Sequence, residues 1–363
     1  MKRVCILCEA WESGGIESFL CNTLLAMDRS ELEIDIVAAQ IGDSVFTEAL
    51  KNAGVRFQEL FGTLRSPQNA RLFSALLAER HYDVVHLNAY QALSLQYLKL
   101  AQEAGVPIRI AHSHNTELRD SSTRILKLAI HNWAKRAYGN VMTHRWACSA
   151  PAARFLFGET SEWAFIPNGI NVERFRFDPA GREEVRTELK LEGKLVVGNV
   201  GRLCWQKNQA FLLDVFKEVQ QQCHASALLL VGEGEARGEL EAKARALGIE
   251  NCVIFYGTTD RVEQLYWAMD VFAFPSRFEG LGIAAVEAQA AGLPVICSDG
   301  VPSETMITEW ARKLSRSAGA GSWAAAVQNM KNPGNRAASA DAVSATGFDV
   351  AVVAKEIRNL WVR

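Results

Sequence analysis

The sequence predicts an α/β protein of two Rossmann-like halves, each organised on a parallel sheet. Three observations carry this. The chain has 363 residues, too many for one ordinary domain and suited to two of about 170 each. Short apolar runs alternate with helix-periodic segments, the order of repeated βαβ units. That alternation stops once, around Ile166-Pro167-Asn168-Gly169-Ile170-Asn171, and then resumes, which marks the crossing between the halves.

In the first half Val4 to Cys8 reads as a strand. A turn at Ser13-Gly14-Gly15 follows, then a helix through about Met27. Glu33 to Ala39 is a second strand, and a helix ending near His81 precedes a third at Val84 to Leu87. A helix from Gln91 to Glu103 leads to the strand Pro107 to His112. Trp146 to Ser149 is the last, before a helix start at Ala150-Pro151-Ala152.

The second half repeats the scheme at Leu195–Val200, Ala227–Val231, Cys252–Phe255, Val271–Phe274 and Val295–Cys297. Between the first two, Leu212, Phe216 and Val219 share one face of a helix from Gln209 to Gln221. After Phe274, Pro275, Gly280 and Gly282 break the pattern. Good helix formers then run from Ile283 to Ala290, until Gly292-Leu293-Pro294 stops them. The Ala/Ser/Gly-rich stretch 315–345 receives no assignment. Val350, Val353, Ile357 and Leu360 recur at helical spacing in a final segment. We therefore divide the chain into 1–171, 172–347 and a docking helix at 348–363.

Composition narrows the function classes. A net charge of −2 gives no reason to expect nucleic acid, and no apolar run reaches the roughly 18 residues of a membrane span. The first apolar run is too short for a signal peptide, so a cytoplasmic protein is expected. Cys5-Ile6-Leu7-Cys8 has redox spacing, but it lies in a strand, where residues three apart point to opposite faces.

The candidate chemistry falls at strand ends, where open α/β sheets bind ligands. Arg202 and Lys207 share the loop after Val200, with Asn208 placed to cap the next helix. Two fixed cations beside a helix start suit a diphosphate, and an exposed basic loop is the bland reading. Glu279 precedes a helix that starts near Gly282, whose free N–H groups favour an anion, and Glu287 lies on its second turn. Together they could grip two ends of an elongated polar ligand, or merely start a helix. Gly14-Gly15 would let backbone close on a phosphate or sugar. His112 and His114 share one side of a strand end, where they bond a ligand or serve the fold. The glycines of Gly232-Glu233-Gly234 suffice for a turn.

Taken in order, these motifs resemble the family 4 glycosyltransferases. The resemblance rests on Gly14-Gly15-Ile16-Glu17, Ala111-His112-Ser113-His114-Asn115, Ile166-Pro167-Asn168-Gly169-Ile170, Gly201-Arg202 with Lys207-Asn208, Val231-Gly232-Glu233-Gly234, and Phe278-Glu279-Gly280-Leu281 with Glu287-Ala288-Gln289-Ala290-Ala291-Gly292. Glu279 and Glu287 reproduce the family's paired glutamates, and the ensemble is most similar to the bacterial exopolysaccharide and capsule branch. The resemblance implies the GT-B fold, two Rossmann-like domains facing each other across a cleft, with the acceptor on the N-terminal and the donor on the C-terminal domain. It implies a retaining hexosyltransferase using a UDP- or GDP-linked sugar and a saccharide or lipid-linked saccharide acceptor. Arg202 and Lys207 would then hold the diphosphate, Glu287 the ribose and Glu279 the sugar hydroxyls. Backbone at Gly257 would read the base, and Gly280, Leu281 and Gly282 would face sugar and phosphate. His114 is the favoured histidine contact, with His112 next. The branch usually has proline where this chain has Gly282, and Leu203-Cys204-Trp205 departs from its usual residues.

No Asp-x-Asp occurs in the chain, so no metal or other cofactor is expected. A catalytically inactive nucleotide-sugar-binding regulatory protein of the same fold is the alternative. In segment 124–136, Arg124, Lys127, His131 and Lys135 form a basic stripe beside Leu126, Ala129, Ile130 and Trp133. That pattern reads either as a helix meeting anionic lipid or as one whose apolar side is core.

Overall fold

The computed structural model describes the chain apart from residues 13, 43, 65, 119–122, 160 and 331–333, so Ser13 of the Gly-Gly turn lies outside the described residues. It divides into two units, residues 1–170 with 350–363, and residues 171–349.

In the first unit the elements run β1 (Lys2–Cys8), α1 (Gly15–Ala26), β2 (Leu32–Ala38), α2 (Val45–Asn52), β3 (Arg56–Glu59), α3 (Pro67–Arg80), β4 (Val84–Ala89), α4 (Gln96–Glu103), β5 (Ile108–Ser113), α5 (Arg124–Tyr138), β6 (His144–Ala147), α6 (Ala150–Phe157) and β7 (Ala164–Phe165). The strands form one parallel sheet in the order β3-β2-β1-β4-β5-β6-β7. Alternation splits β1 cleanly. Val4, Ile6 and Cys8 enter the core on one face, Cys5 and Leu7 that on the other. Cys5 and Cys8 are therefore buried free thiols on opposite faces, as the strand reading expects.

The second unit runs α7 (Val172–Phe175), α8 (Pro179–Glu188), β8 (Leu195–Val200), α9 (Gln209–Gln222), β9 (Ser226–Val231), α10 (Arg237–Ala246), β10 (Val253–Gly257), α11 (Val262–Ala268), β11 (Val271–Phe274), α12 (Ile283–Ala290), β12 (Val295–Ser298), β13 (Ala311–Leu314), α13 (Gly319–Asn329) and α14 (Ala338–Val343). Its parallel sheet has the order β10-β9-β8-β11-β12-β13. Leu212, Phe216 and Val219 of α9 are wholly buried against it.

The last helix, α15 (Val350–Trp361), belongs to the first unit. Val353, Ile357 and Trp361 join the core of α1 and β1, while Arg358 bonds Glu31 at 2.7 Å. Leu360, expected on the buried face, is only partly buried, and Ala354 lies inside instead.

One helix differs from both sequence readings in which side faces the protein. On α5, His131 and Ala134 are buried, whereas Ile125, Leu126, Leu128, Ile130 and Trp133 are exposed. The His131–Lys135 end of the basic stripe is the inward one, because its nitrogens find carbonyl and amide partners, whereas Arg124 stays exposed on Glu117. His131 Nδ1 accepts from the Ala92 amide at 3.1 Å, its Nε2 lies 3.0 Å from the Phe155 carbonyl, and Lys135 Nζ donates to the same carbonyl at 2.8 Å. The apolar side is not core.

Candidate functional site

In the second unit β8 lies between β9 and β11, where the connections leave the sheet in opposite directions. Crevices of this kind bind ligands in open α/β sheets. The loops after β8 and β11 leave it side by side and are laced together. The Arg277 amide donates to the Gln206 carbonyl at 2.7 Å, and Gln206 Nε2 to the Phe278 carbonyl at 3.0 Å. Asn208 sits at the helix N-cap but does not cap it, contrary to expectation. Its φ of +57° turns Nδ2 toward the Pro275 carbonyl, 3.2 Å away, so it ties the loops instead. Gln209 Nε2 reaches back to the Arg202 carbonyl at 3.0 Å.

Both expected cations hold carboxylates. Lys207 Nζ lies 2.7 Å from Glu279 Oε1 and 4.9 Å from the centre of the Phe274 ring. Glu279 is nearly buried, and its amide donates to the Gly300 carbonyl at 3.0 Å. Arg202 is exposed and donates from Nε to Glu235 at 3.1 Å, with no other acceptor among the described residues. Glu287 sits on the second turn of α12, where the Tyr266 hydroxyl lies 2.8 Å from its carboxylate. Burial raises the Glu287 pKa against the opposing hydrogen bond from Tyr266 and the charge of Arg174.

The start of α12 depends on Gly282, whose φ is +95°. A proline ring, fixed near −65°, has no access to that conformation. The first amides of the helix, on Ile283 and Ala284, have no acceptor within it. At its far end Arg336, itself buried, donates to the Ala291 carbonyl at 3.0 Å and so fixes the helix in place. Gly232 and Gly234 do more than turn the chain. A Cβ on either would lie 2.3 Å from the carbonyl oxygens of Gly201 and Leu203 respectively, so they allow two loop backbones to touch. Gly257, at φ +87°, accepts the Gly232 amide at 2.8 Å.

In the first unit the histidine pair is part of a column. His112 of β5 and His114, just past its end, have ring centres 4.0 Å apart, and His86 of β4 stacks on His112 at 5.4 Å. His112 Nε2 faces the Ile166 carbonyl at 3.3 Å, so Nδ1 is left to accept from His86 Nε2, also at 3.3 Å. Fully buried with both nitrogens engaged, His112 offers a ligand no surface and instead positions its neighbours. His114 bonds Asn88 Oδ1 through Nε2 at 2.9 Å and keeps Nδ1 without a partner among the described residues. Burial lowers the pKa of His86 and His114 to about 3 and that of His112 well below its usual value, so all three are neutral near pH 7. Beside Gly14, whose Cβ would fall 2.6 Å from Glu17 Oε2, burial raises the Glu17 pKa.

Two family models divide the chain between them. "Glycosyltransferase Family 4" matches residues 13–174, and "Glycosyl transferases group 1" matches residues 181–336. EpsF of Bacillus subtilis (strain 168), a protein assigned as a glycosyltransferase, is 30% identical over 345 residues, covering 88% of each chain. This chain belongs to glycosyltransferase family 4. A further family member, the GDP-mannose-dependent α-(1-6)-phosphatidylinositol monomannoside mannosyltransferase of Mycobacterium tuberculosis, is 29% identical over 80% of this chain and 78% of its own. The fold is GT-B. Anabaena HepE, solved with UDP-glucose, superposes with a TM-score of 0.80 at 20% identity over 99% of each chain.

Against the family pattern, sequence reasoning missed four residues that shape the site of this glycosyltransferase. Tyr266 and Arg336 lie outside every quoted motif. Gln289 lies within one but received no role, and it bridges Ala285, Thr305, Ile307 and Thr308 through four bonds of 2.7–2.9 Å. Arg277 stands one residue before the motif that carries Glu279. Only Gln289 bore a signal, as a polar residue on the buried side of an apolar helix.

Proposed function

We propose that the protein transfers a hexosyl group from a nucleoside diphosphate sugar to a saccharide or lipid-linked saccharide, with retention at the anomeric carbon. The Lys207–Glu279 pair beside the start of α12 carries the reading. A lysine ammonium has three donors, so Lys207 can keep Glu279 and still reach phosphate oxygens. Arg202 adds its unused guanidinium nitrogens, and the amides of Ile283 and Ala284 add a partial positive charge. These groups stabilise the negative charge that builds on the departing diphosphate, the role a divalent metal fills elsewhere. Glu279, bonded to Lys207, accepts from sugar hydroxyls, and Glu287, oriented by Tyr266, accepts from the ribose. His114 provides the histidine contact to sugar and phosphate.

In the proposed step the bond from the anomeric carbon to the phosphate oxygen breaks as the acceptor oxygen bonds to the same face. The leaving phosphate takes the acceptor proton, so the nucleoside diphosphate departs with the balance complete and no protein nucleophile is needed. The nucleotide is UDP or GDP. Melting temperature measured against a panel of UDP and GDP sugars tests this, because stabilisation follows ligand concentration over Kd. A protein that no donor stabilises would sink the reading. Release of nucleoside diphosphate separates an enzyme from a sensor of the same fold, and unchanged turnover in chelator supports the metal-free account.

The exposed apolar side of α5 supports a peripheral encounter with a lipid surface, where a lipid-linked acceptor would be met. Among the described residues no helix is long and apolar enough to cross a membrane. The likeness to EpsF supports a part in polysaccharide assembly.

A further inference from the structure

We propose that Trp205 and Arg277 form a subsite for an acidic sugar ring of the acceptor. The inference rests on the transferase reading above, names the substrate class that reading leaves open, and departs from the family expectation by giving the second unit one contact to the acceptor. Trp205 stands two residues before Lys207 with 45% of its surface exposed. Its loop is not slack, since the amides of Lys207 and Asn208 both bond the Cys204 carbonyl, at 3.1 and 3.3 Å. Arg277 holds the other side. Its Nε donates to the Trp205 carbonyl at 3.2 Å, and its guanidinium carbon lies 4.6 Å from the indole centre. The backbone of Arg277 is fixed in turn, because a Cβ on Gly300 would fall 2.1 Å from its carbonyl oxygen.

A large aromatic surface is thus held rigidly in water at the edge of the donor loops, although its burial would be favourable. The Trp205 indole N–H and both terminal nitrogens of Arg277 have no acceptor among the described residues. Flat apolar area, one N–H donor and a planar cationic fork together match a pyranose bearing a carboxylate. The C–H face of the sugar packs on the indole, and the carboxylate takes the two parallel guanidinium N–H groups. The donor diphosphate does not require this cation, since Lys207, Arg202 and the start of α12 already answer its charge.

The test uses the full chain saturated with the nucleotide that stabilises it. A glucuronic-acid-terminated disaccharide and its glucose-terminated counterpart are titrated and followed by calorimetry and saturation-transfer NMR. The acidic disaccharide should bind about tenfold more tightly, the scale of one charge-assisted contact. Arg277→Gln should remove that preference, and Trp205→Phe, which keeps a ring, should retain more binding than Trp205→Ala. Equal binding of the two disaccharides, no binding of either, or an intact preference in Arg277→Gln overturns the proposal. Loss of nucleotide binding in Trp205→Ala also overturns it, by moving the ring to the donor. If instead the unmutated protein binds no nucleotide, the transferase reading fails on its own account.

Discussion

At the scale of single residues, the Lys207–Glu279 pair sets the sharpest expectation. Glu279→Gln should cut transfer about tenfold or more with little change in melting temperature, because the lost charge serves a ligand and Gln keeps the volume. Arg202→Ala, at an exposed position, should weaken nucleoside diphosphate binding by about tenfold with or without the sugar. Wild-type affinity in that variant, read by calorimetry, would remove Arg202 from the phosphate site. Gly282→Ala should cost about 1–2 kcal/mol from its positive φ alone and lower activity by displacing the start of α12. The histidine column predicts a direction with pH. Below about 6.5 the unfolded chain takes up protons that native His86 and His114 refuse until about 3. Stability should therefore fall as pH drops through that window. Denaturant midpoints at pH 7 and 5 should show the loss, smaller after His86→Gln.

At the scale of elements, α5 and the loops after β8 and β11 behave differently. The motifs placed the loops correctly because each glycine or charge there answers a local backbone demand, as Gly282 does at φ +95°. The interlacing that makes them rigid was not legible, since Asn208, Gln206 and Arg277 bond residues about 70 positions away. The strand at Arg56–Glu59 went unread because an edge strand of charged residues has no apolar run, and β13 is another short edge strand. For α5 the periodicity was legible but its sense was not. Hydropathy would bury Leu126 and Trp133, and the bonds of His131 and Lys135 reverse that choice. Leu126→Ser with Trp133→Ser, both exposed, should leave melting within about 0.5 kcal/mol of the parent. The pair should also abolish sedimentation with anionic vesicles while donor hydrolysis continues. Undiminished sedimentation would separate this helix from any lipid encounter. Lys135→Glu would be a poor probe, because it strips the α6 carbonyls of their donor.

At the scale of the whole chain, the second unit is an insertion within the first, entered after Ile170 and left before Val350. Deleting residues 350–363 should unfold the first unit, because Val353, Ile357 and Trp361 leave its core together. Residues 171–349 expressed alone should melt cooperatively, and failure to do so would show that this unit borrows stability from the first. The returning helix also orders events at the ribosome. The first unit cannot close its core until that helix, made after the whole second unit, has emerged from the exit tunnel. A nascent chain stalled near residue 349 should therefore leave the first unit open to protease and to a chaperone. The segment made first is the one that finishes folding last.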